Sequence, residues 1–267
     1  MDDFQSNGKC GAHIVRNGVL ATLPEEEFDL LRPYLKPVPL KRNTILHDAN
    51  KIPDAVYFIE TGMISRVIRT RTDGPVEVAM VGNFGFVGVS VVLGTMSLQR
   101  TIVQIAGSAL RINADDLQRL MSERPGIKSH LLKYIQMLLS IEAQFALCNA
   151  KHEIDERVAR WMLLVRDIIA DDNLPVTHST IASSLGVRRP GVSKALAVFE
   201  SQQIIERARG LLRIVDFDKL NQNACECRKI ISDKFNLVLA KPRNEYRLDA
   251  VPISSLDRPC EYSHHVK

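Results

Sequence analysis

Residues 176–196 constrain the fold more than any other part of the chain. Thr177 is suited to cap a first helix, because its hydroxyl can accept a backbone N–H that the first turn leaves unpaired. Gly186 falls where that helix must end, and glycine reaches the left-handed conformation at low cost. Pro190 suits the first turn of a second helix, where its missing N–H is not needed. The stretch therefore predicts a helix-turn-helix, two short helices joined by a tight turn.

The outward face of the second predicted helix is basic and polar at its N-terminal end. A recognition helix presents side chains to base edges and phosphates from this end. An ordinary helical hairpin fits the apolar spacing equally well, and the charges favour DNA binding over that alternative. The residues predicted to contact DNA from the motif are Thr177, His178, Arg188, Arg189, Ser193 and Lys194.

Two short β-prone runs follow within residues 204–215 and flank a basic turn that contains Gly210. Such a pattern predicts a hairpin, and a helix-turn-helix followed by a hairpin is the winged variety. Arg207 and Arg209 would lie on or beside the wing, where basic residues gain affinity by displacing counterions from phosphates.

The distribution of charge supports this interpretation better than the total does. The 267 residues carry a formal net charge of only +4, which by itself would not indicate nucleic acid, and their number suggests two domains. Between positions 188 and 213, however, the acidic residues are only Glu200 and Glu206. The basic residues of the same segment are Arg188, Arg189, Lys194, Arg207, Arg209 and Arg213. Clustering of charge on one motif is typical of a nucleic-acid interface.

Nothing in the sequence predicts a membrane protein or an enzyme. No run of about 18 apolar residues is present, and the acidic, polar N-terminus is unlike a secretory signal. We find no nucleophile elbow, P-loop or paired-carboxylate motif. Five scattered cysteines indicate free thiols in a reducing cytoplasm.

Residues 36–112 have a different texture, with short β-prone runs separated by turn signals. Such punctuation predicts a β-sandwich or β-roll. The predicted strands are 44–46, 55–59, 63–68, 76–81, 101–105 and 109–112, with turns at 48–50, 61–62, 72–74 and 106–108. A short helix near residues 23–31 precedes them, and a long helix follows Pro125.

In this order, the elements resemble the CRP/FNR family of bacterial transcription regulators. The resemblance covers about residues 20–235 and depends on four segments: residues 57–62, 82–88, Arg100-Thr101 and the helix-turn-helix. It implies an α+β fold with an N-terminal β-roll like that of cyclic-nucleotide-binding domains, a long dimerisation helix and a C-terminal winged helix-turn-helix. The implied partners are double-stranded DNA, a second copy of the chain and RNA polymerase.

The resemblance also places an effector pocket in the β-roll, formed here by Gly85, Phe86, Arg100 and Thr101. In the family, a glutamate that accepts a hydrogen bond from the ribose hydroxyl follows the glycine, and this chain has Phe86 there. Phenylalanine cannot accept that bond, and an unpaired hydroxyl costs about 1–3 kcal/mol. We therefore expect a pocket that is degenerate or takes another effector, and no resident cofactor. The alternative is a cAMP-responsive regulator, in which Arg100 holds the cyclic phosphate.

The long helix carries apolar residues at alternating spacings of four and three, which is a heptad seam. We expect this seam to pair with a twin helix in a homodimer, while a second apolar face packs on the β-roll; the alternative is that both faces are core of one subunit. The predicted seam is Ile127, Leu131, Tyr134, Leu138, Ile141 and Phe145, continued by Cys148. The second face is Leu132, Ile135, Leu139, Ala143 and Ala146.

No metal site is expected. Cys225 and Cys227 lie two apart in a predicted C-terminal helix, and such residues point to different sides. His152 and His178 are isolated in the sequence and suggest no ligand spacing. By resemblance, an iron–sulfur cluster would need grouped cysteines near the N-terminus, where this chain has only Cys10.

The sequence thus predicts a cytoplasmic, homodimeric regulator that reads a palindromic site. Arg189 and Lys194 would contact the major groove, and Arg188 and Ser193 would contact phosphate. The expected domains are a β-roll at 20–125, a dimerisation helix at 126–150, a winged helix-turn-helix at 151–238 and a flexible tail at 239–267. The remaining alternative is a nucleotide-binding module that controls a protein partner through the winged motif.

Overall fold

The computed structural model describes residues 13–69, 71, 74–239 and 244–248. The N-terminal part of the described residues is rich in β-strands, and the C-terminal part is mainly helical. The strands are β1 (His13–Ile14), β2 (Lys36–Leu40), β3 (Ile45–His47), β4 (Ala55–Ile68), β5 (Val76–Val81), β6 (Phe86–Val87), β7 (Arg100–Asn113), β8 (Asn173–Leu174), β9 (Ile205–Ala208), β10 (Leu211–Ile214) and β11 (Arg247–Leu248). The helices are α1 (Gly18–Ala21), α2 (Glu25–Leu31), α3 (Val89–Leu93), α4 (Ala114–Glu123), α5 (Pro125–Lys151), α6 (Ile154–Ile169), α7 (His178–Leu185), α8 (Arg189–Ser201), α9 (Phe217–Gln222) and α10 (Cys227–Leu239), with a 3-10 turn at Arg32–Tyr34.

The N-terminal part is built on a six-stranded antiparallel sheet. Its strands run in the order β2-β7-β4-β5, with β3 also paired to β7 and β6 paired to β4. The C-terminal part holds a three-stranded sheet in the order β8-β10-β9 beside helices α6 to α8. The α+β fold expected from the sequence, with an N-terminal sheet domain followed by a C-terminal helix-turn-helix domain, is confirmed.

Two sequence signals taken as turns lie inside long strands. The structure has one strand, β4, where two were predicted on either side of Gly62, and one strand, β7, where two were predicted around Gly107. Gly62 has a φ of 80°, and a Cβ on Gly107 would lie 2.1 Å from the Thr61 carbonyl oxygen. The pairing register of β4 and β7 shifts at this point. The glycines therefore let two paired strands bend together, and the predicted breaks are wrong.

The segment from His13 to Gly18 packs against the β-roll through Asn17. Asn17 is fully buried, and its side-chain amide donates to the carbonyl oxygens of Ile59 at 2.8 Å and Gly85 at 2.7 Å. Its backbone N–H donates to a carboxylate oxygen of Glu60 at 3.0 Å. One buried asparagine thus ties the N-terminal segment to the β-roll.

The predicted flexible tail at 239–267 is also partly wrong, because residues 244–248 dock on the N-terminal segment. The Tyr246 ring stacks on Phe28 with centroids 3.9 Å apart, and its hydroxyl donates to the Leu23 carbonyl at 2.7 Å. Strand β11 pairs with β1. The polar composition of the tail suggested a flexible segment, and the local sequence could not predict a contact between residues more than 200 positions apart. The rest of the predicted tail lies outside the described residues.

Helix α5 buries the face that was predicted to form the dimer seam, whereas the predicted second face is largely exposed apart from Ile135. The predicted dimer seam is buried within the subunit, where its side chains are at most 3% exposed. Leu132 and Leu139 of the other face are 38% and 55% exposed. A side chain already buried by its own subunit cannot pair with a twin helix. The residues corrected in this way are Ile127, Leu131, Tyr134, Leu138, Ile141 and Phe145, with Cys148.

By length and composition alone, α5 is apolar enough to cross a membrane. Eight of its residues nevertheless pack into the same core as the β-roll and the neighbouring helices. A core helix of a folded protein passes the same test of composition. We therefore interpret α5 as a helix with one face in the core and one face exposed.

Candidate nucleic-acid interface

Helices α7 and α8 form the predicted helix-turn-helix, and local signals explain their ends. The hydroxyl oxygen of Thr177 caps α7 by accepting the backbone N–H of Thr180 at 3.1 Å. Gly186 ends α7 in the left-handed conformation, with a φ of 63°. Pro190 lies in the first turn of α8, as expected. Ile181, Val192 and similar apolar residues then bury the inner faces of both helices.

The outer surface of α8 presents the predicted contact residues near its N-terminus. Arg188, Arg189 and Lys194 are exposed. Ser193 is half-buried and shares a hydrogen bond with the His178 ring at 2.9 Å, between Oγ and Nδ1. This bond links the recognition helix to the first turn of α7, so both side chains hold the two helices together.

His178 is expected to be neutral at neutral pH. Burial, followed by the positive charges of Arg207 and Arg189, lowers the pKa of its imidazole. A neutral ring offers a hydrogen bond and carries no charge to phosphate. His178 therefore positions Ser193 and can still face a phosphate as a neutral group.

The wing is the β9–β10 hairpin, with Arg209 and Gly210 in its turn. Arg209 is exposed at the tip. Arg207, also exposed, forms an ion pair with Glu200 of α8 and holds the pKa of that carboxyl below its usual range. Part of the predicted phosphate-binding charge is therefore neutralised in this structure.

The first turn of α7, the start of α8 and the wing enclose one open groove of about 240 Å³. Four of the eight predicted DNA contacts line it: Thr177, His178, Arg189 and Arg207. The sequence placed these residues in three separate elements, and the fold brings them to one surface. Two of the lining residues are arginines, Arg189 and Arg207, a residue type that commonly contacts phosphate.

The DNA-binding helices are tied to the β-roll through the buried carboxyl group of Glu77 in β5. Trp161 of α6 donates its indole N–H to Oε1 at 3.0 Å, and the Ser65 hydroxyl donates to Oε2. Ser184 of α7 also hydrogen-bonds to this carboxyl. Complete burial raises the pKa of Glu77 to about 7. Trp161 is fully buried, and its hydrogen bond joins α6 to β5.

The residues predicted for the effector pocket do not surround one cavity. Phe86 is fully buried against Phe58 and Tyr134, with ring centroids 5.5 Å and 4.6 Å away. A Cβ on Gly85 would lie 2.2 Å from the Tyr134 hydroxyl oxygen, so the glycine makes room for α5.

Arg100 and Thr101 lie elsewhere on the sheet. Arg100 pairs in register with Val67, nine residues along β4 from the Phe58 that pairs with Phe86. Its guanidinium lines an open cavity and contacts Asp48 at 2.7 Å, which lowers the pKa of that carboxyl. The hydroxyl oxygen of Thr101 accepts the backbone N–H of His47 at 3.0 Å.

The structure also brings together four side chains that the sequence analysis kept apart: Cys148, His152, Cys225 and Cys227. The prediction that the last two thiols diverge on one helix is wrong, because α10 begins at Cys227 and leaves Cys225 in the preceding turn. The available signal was a Cys-x3-His spacing at the end of a helix combined with Cys-x-Cys. Its two halves are separated by more than seventy residues.

A winged helix-turn-helix with basic residues on its recognition helix and wing defines the class of DNA-binding regulators. Residues 156–222 match the family model described as the Crp-like helix-turn-helix domain. The HTH-type transcriptional regulator Cmr of Mycobacterium tuberculosis (strain CDC 1551 / Oshkosh) is 21% identical over 215 residues, which cover 80% of this chain and 86% of that protein.

Solved structures share the fold. A regulator of the crp/fnr family from Eubacterium rectale superposes with a TM-score of 0.62 at 18% identity, covering 75% of this chain and 94% of the other. The c-di-GMP responsive regulator CLP of Xanthomonas campestris gives a TM-score of 0.60 at 13% identity, covering 72% and 99%. Residues 156–222 therefore form a Crp-like helix-turn-helix domain, and the fold of the chain is that of the CRP/FNR transcription regulators.

Proposed function

We propose that the protein binds a palindromic DNA site as a homodimer and that its sensor domain does not respond to cAMP. The observation that carries the proposal is the basic groove in which α7, α8 and the wing meet. Arg189 and Lys194 would read base edges in the major groove, since both are exposed at the N-terminal end of the recognition helix. Arg188 and Arg209 would contact phosphate, and Arg207 would do so only when its ion pair with Glu200 opens.

The DNA-binding part is tested by fluorescence anisotropy on duplexes selected from a random pool. We expect Arg189→Ala to weaken binding to the selected site by roughly 1–3 kcal/mol and to relax the preference at one base position. Arg209→Ala should weaken binding to all sequences alike and lower the salt dependence by about one unit.

Arg42→Ala is the matched control, because it removes the same charge from the exposed turn between β2 and β3. The control should bind DNA like the parent. If Arg42→Ala and Arg189→Ala weakened binding equally, only net charge would matter, and the proposed base contact would be wrong.

The dimer interface is proposed on the exposed face of α5. Six exposed residues along this face, from Leu132 to Ala150, are spaced by 4, 3, 4, 3 and 4 positions, which is a heptad pattern on the surface of the subunit. Small residues in its second half allow two helix backbones to approach closely. Two helices related by a two-fold axis would present two recognition helices to the halves of a palindrome. The stripe is Leu132, Gln136, Leu139, Ala143, Ala146 and Ala150, all exposed.

The interface is tested with Leu139→Glu, which would place two carboxylates near the two-fold axis. We expect a monomer in sedimentation equilibrium at micromolar concentration, with DNA affinity lowered roughly 100- to 10,000-fold as the second half-site is lost. Ile52→Glu is the control, since Ile52 is 78% exposed and lies between β3 and β4. A dimer that survives Leu139→Glu would exclude this stripe.

The absence of a cAMP response is supported by the packing of the β-roll. Phe86 cannot accept a ribose hydroxyl and is sealed beneath Tyr134. The CLP regulator shows that a protein with this fold can be c-di-GMP responsive, so the effector of this chain need not be cAMP. We expect the same anisotropy curve with and without cAMP. DNA binding that appears only with cAMP would overturn this part.

We further propose that the protein acts in the cytoplasm and contacts RNA polymerase. Both follow from the role of a regulator that binds promoter DNA. Expected boundaries remain those of a β-roll at 20–125, the long helix at 126–150 and the winged domain at 151–238. Transcription of a reconstituted promoter by RNA polymerase with the purified protein, compared with Arg189→Ala, would test the polymerase contact.

A further inference from the structure

Four side chains that commonly bind transition metals meet at the junction between the long helix and the DNA-binding domain. Cys148 and His152 are four residues apart at the C-terminal end of α5 and therefore lie on one face. Cys225 and Cys227 come from the turn before α10 and from its first residue. The three sulfurs and one imidazole nitrogen all lie within 4.8 Å of one another. The cluster is therefore a tertiary feature.

Two of the measured distances match a tetrahedral metal centre. The sulfurs of Cys148 and Cys225 are 3.5 Å apart, and Cys227 Sγ is 3.6 Å from His152 Nδ1. A tetrahedral zinc site with bonds of about 2.3 Å to sulfur and 2.0–2.1 Å to nitrogen has ligand–ligand edges of about 3.5–3.8 Å. The longest separation needs to shorten by only about 1 Å to reach that geometry.

The charge around the cluster provides an independent observation. Arg160 is fully buried with its guanidinium over the Phe145 ring at 4.5 Å, and its Nε and Nη1 atoms have no hydrogen-bond partner among the described residues. The side chains in electrostatic contact with it include Cys148, Cys225 and Glu77. A buried cation requires a compensating negative charge. Zn²⁺ with three thiolates and one neutral imidazole has a net charge of −1, which would supply it.

We propose that Cys148, His152, Cys225 and Cys227 bind one Zn²⁺ ion as a structural site. Thiolate and imidazole ligands favour zinc among the common divalent ions, and four protein ligands leave no open position for catalysis. The Gln144 side-chain N–H donates to Cys227 Sγ at 3.0 Å, as an outer-shell partner of a metal ligand does. All three thiols are buried, so the site is protected from solvent.

The position of the site gives it a consequence for DNA binding. The metal would fasten the end of α5, whose exposed face we assign to the dimer, to the start of α10 in the winged domain. It would thereby fix the spacing and orientation of the two recognition helices on a palindrome. This positioning role rests on the proposed dimer, whereas metal binding itself does not.

The metal is tested directly in a Cys10→Ser/Cys260→Ser background, which keeps only the three clustered thiols. Protein purified under reducing, anaerobic conditions should contain one zinc per chain by plasma mass spectrometry. Titration of the metal-free form with Co²⁺ should give sulfur-to-cobalt charge-transfer bands and the intense visible bands of tetrahedral cobalt.

Cys227→Ser and His152→Ala should lower Zn²⁺ affinity by more than the roughly 10- to 100-fold expected of the outer-shell control Gln144→Ala. Circular dichroism of His152→Ala, whose side chain is half-buried, keeps the test independent of unfolding. Failure to bind metal, iron with sulfide in place of zinc, an octahedral cobalt spectrum, or a Cys148–Cys225 disulfide in freshly isolated protein would each overturn the proposal.

The positioning role is tested by removing zinc with a chelator and measuring DNA affinity. We expect chelation to weaken binding of the parent protein to its palindrome, and readdition of Zn²⁺ to restore it. His152→Ala should bind DNA like the chelated parent and should not respond to zinc. Unchanged DNA affinity after zinc loss would overturn the positioning role while leaving the metal content as a separate result.

Discussion

The residues that resemble the CRP/FNR family are exposed in the winged domain, but in the β-roll they are buried or held in an ion pair. In the winged domain, Arg189 and Lys194 are exposed on α8, and Arg189 lines the groove between the helices and the wing. In the β-roll, Phe86 is buried under Tyr134, and Arg100 is paired with Asp48. The same kind of family resemblance therefore identifies exposed side chains in one domain, and a buried phenylalanine and an ion-paired arginine in the other. A motif indicates function only where its side chains remain available to a ligand.

The two domains are not independent, because the carboxyl group of Glu77 in the β-roll accepts a hydrogen bond from Trp161 of α6. We expect Glu77→Gln to have the largest effect, because burial raises the pKa of Glu77 to about 7 while the unfolded value is 4.5. The native state therefore binds the proton more tightly, and the stability supplied by this group is full below pH 4.5 and is lost as the pH rises through 7.

Relative to the parent, Glu77→Gln should gain roughly 3 kcal/mol in free energy of unfolding between pH 4.5 and pH 8. Urea denaturation across that range, followed by tryptophan fluorescence of Trp161, measures the difference. Asp54→Asn, which removes an exposed carboxyl, should keep the parent profile. A profile for Glu77→Gln parallel to that of the parent would show that burial does not raise the pKa of this carboxyl.

Substitution of Gly85 tests whether this glycine binds a ligand or makes room for the packing of α5. A Cβ at this position would lie 2.2 Å from the Tyr134 hydroxyl oxygen, so Gly85→Ala should destabilise the protein by about 1–3 kcal/mol through overpacking. Thermal unfolding measures this cost. Gly74→Ala is the matched control, because no atom lies within 4 Å of its added Cβ. If Gly85→Ala were as stable as the parent but responded differently to an effector, Gly85 would be part of a ligand pocket.

Local signals in the sequence were enough to place the elements of the winged domain. Thr177, Gly186 and Pro190 each act on the backbone within a few residues, so cap, turn and helix start followed directly. The tertiary contacts were not predictable in this way. Phe86 meets Tyr134 across 48 residues, and Tyr246 meets Leu23 across 223. Spacing along the chain contains no information on which apolar face of α5 packs inward.

Within the winged domain, the contrast is between arginines that are free for phosphate and one that is held. Glu200 pairs with Arg207, and we expect Glu200→Gln to release that arginine toward DNA. The slope of log affinity against log salt should then steepen by up to about 0.9, the value for one added phosphate contact. Glu206→Gln is the control, since it adds the same charge but releases Arg213, which is not a predicted contact. Equal slopes for the two variants would contradict a specific role for Arg207.

Arg100 should give the smallest effect and decides how the sensor domain is interpreted. In the structure, its guanidinium forms a partly exposed ion pair with Asp48, and exposed pairs contribute little to stability. We therefore expect Arg100→Ala to leave the thermal midpoint and the DNA affinity unchanged, with or without cAMP. Asp48→Asn breaks the same pair from its other side and should behave identically. If Arg100→Ala alone abolished a nucleotide response that Asp48→Asn retained, Arg100 would be a phosphate ligand, and the β-roll would be a working sensor site like the surface of the winged domain.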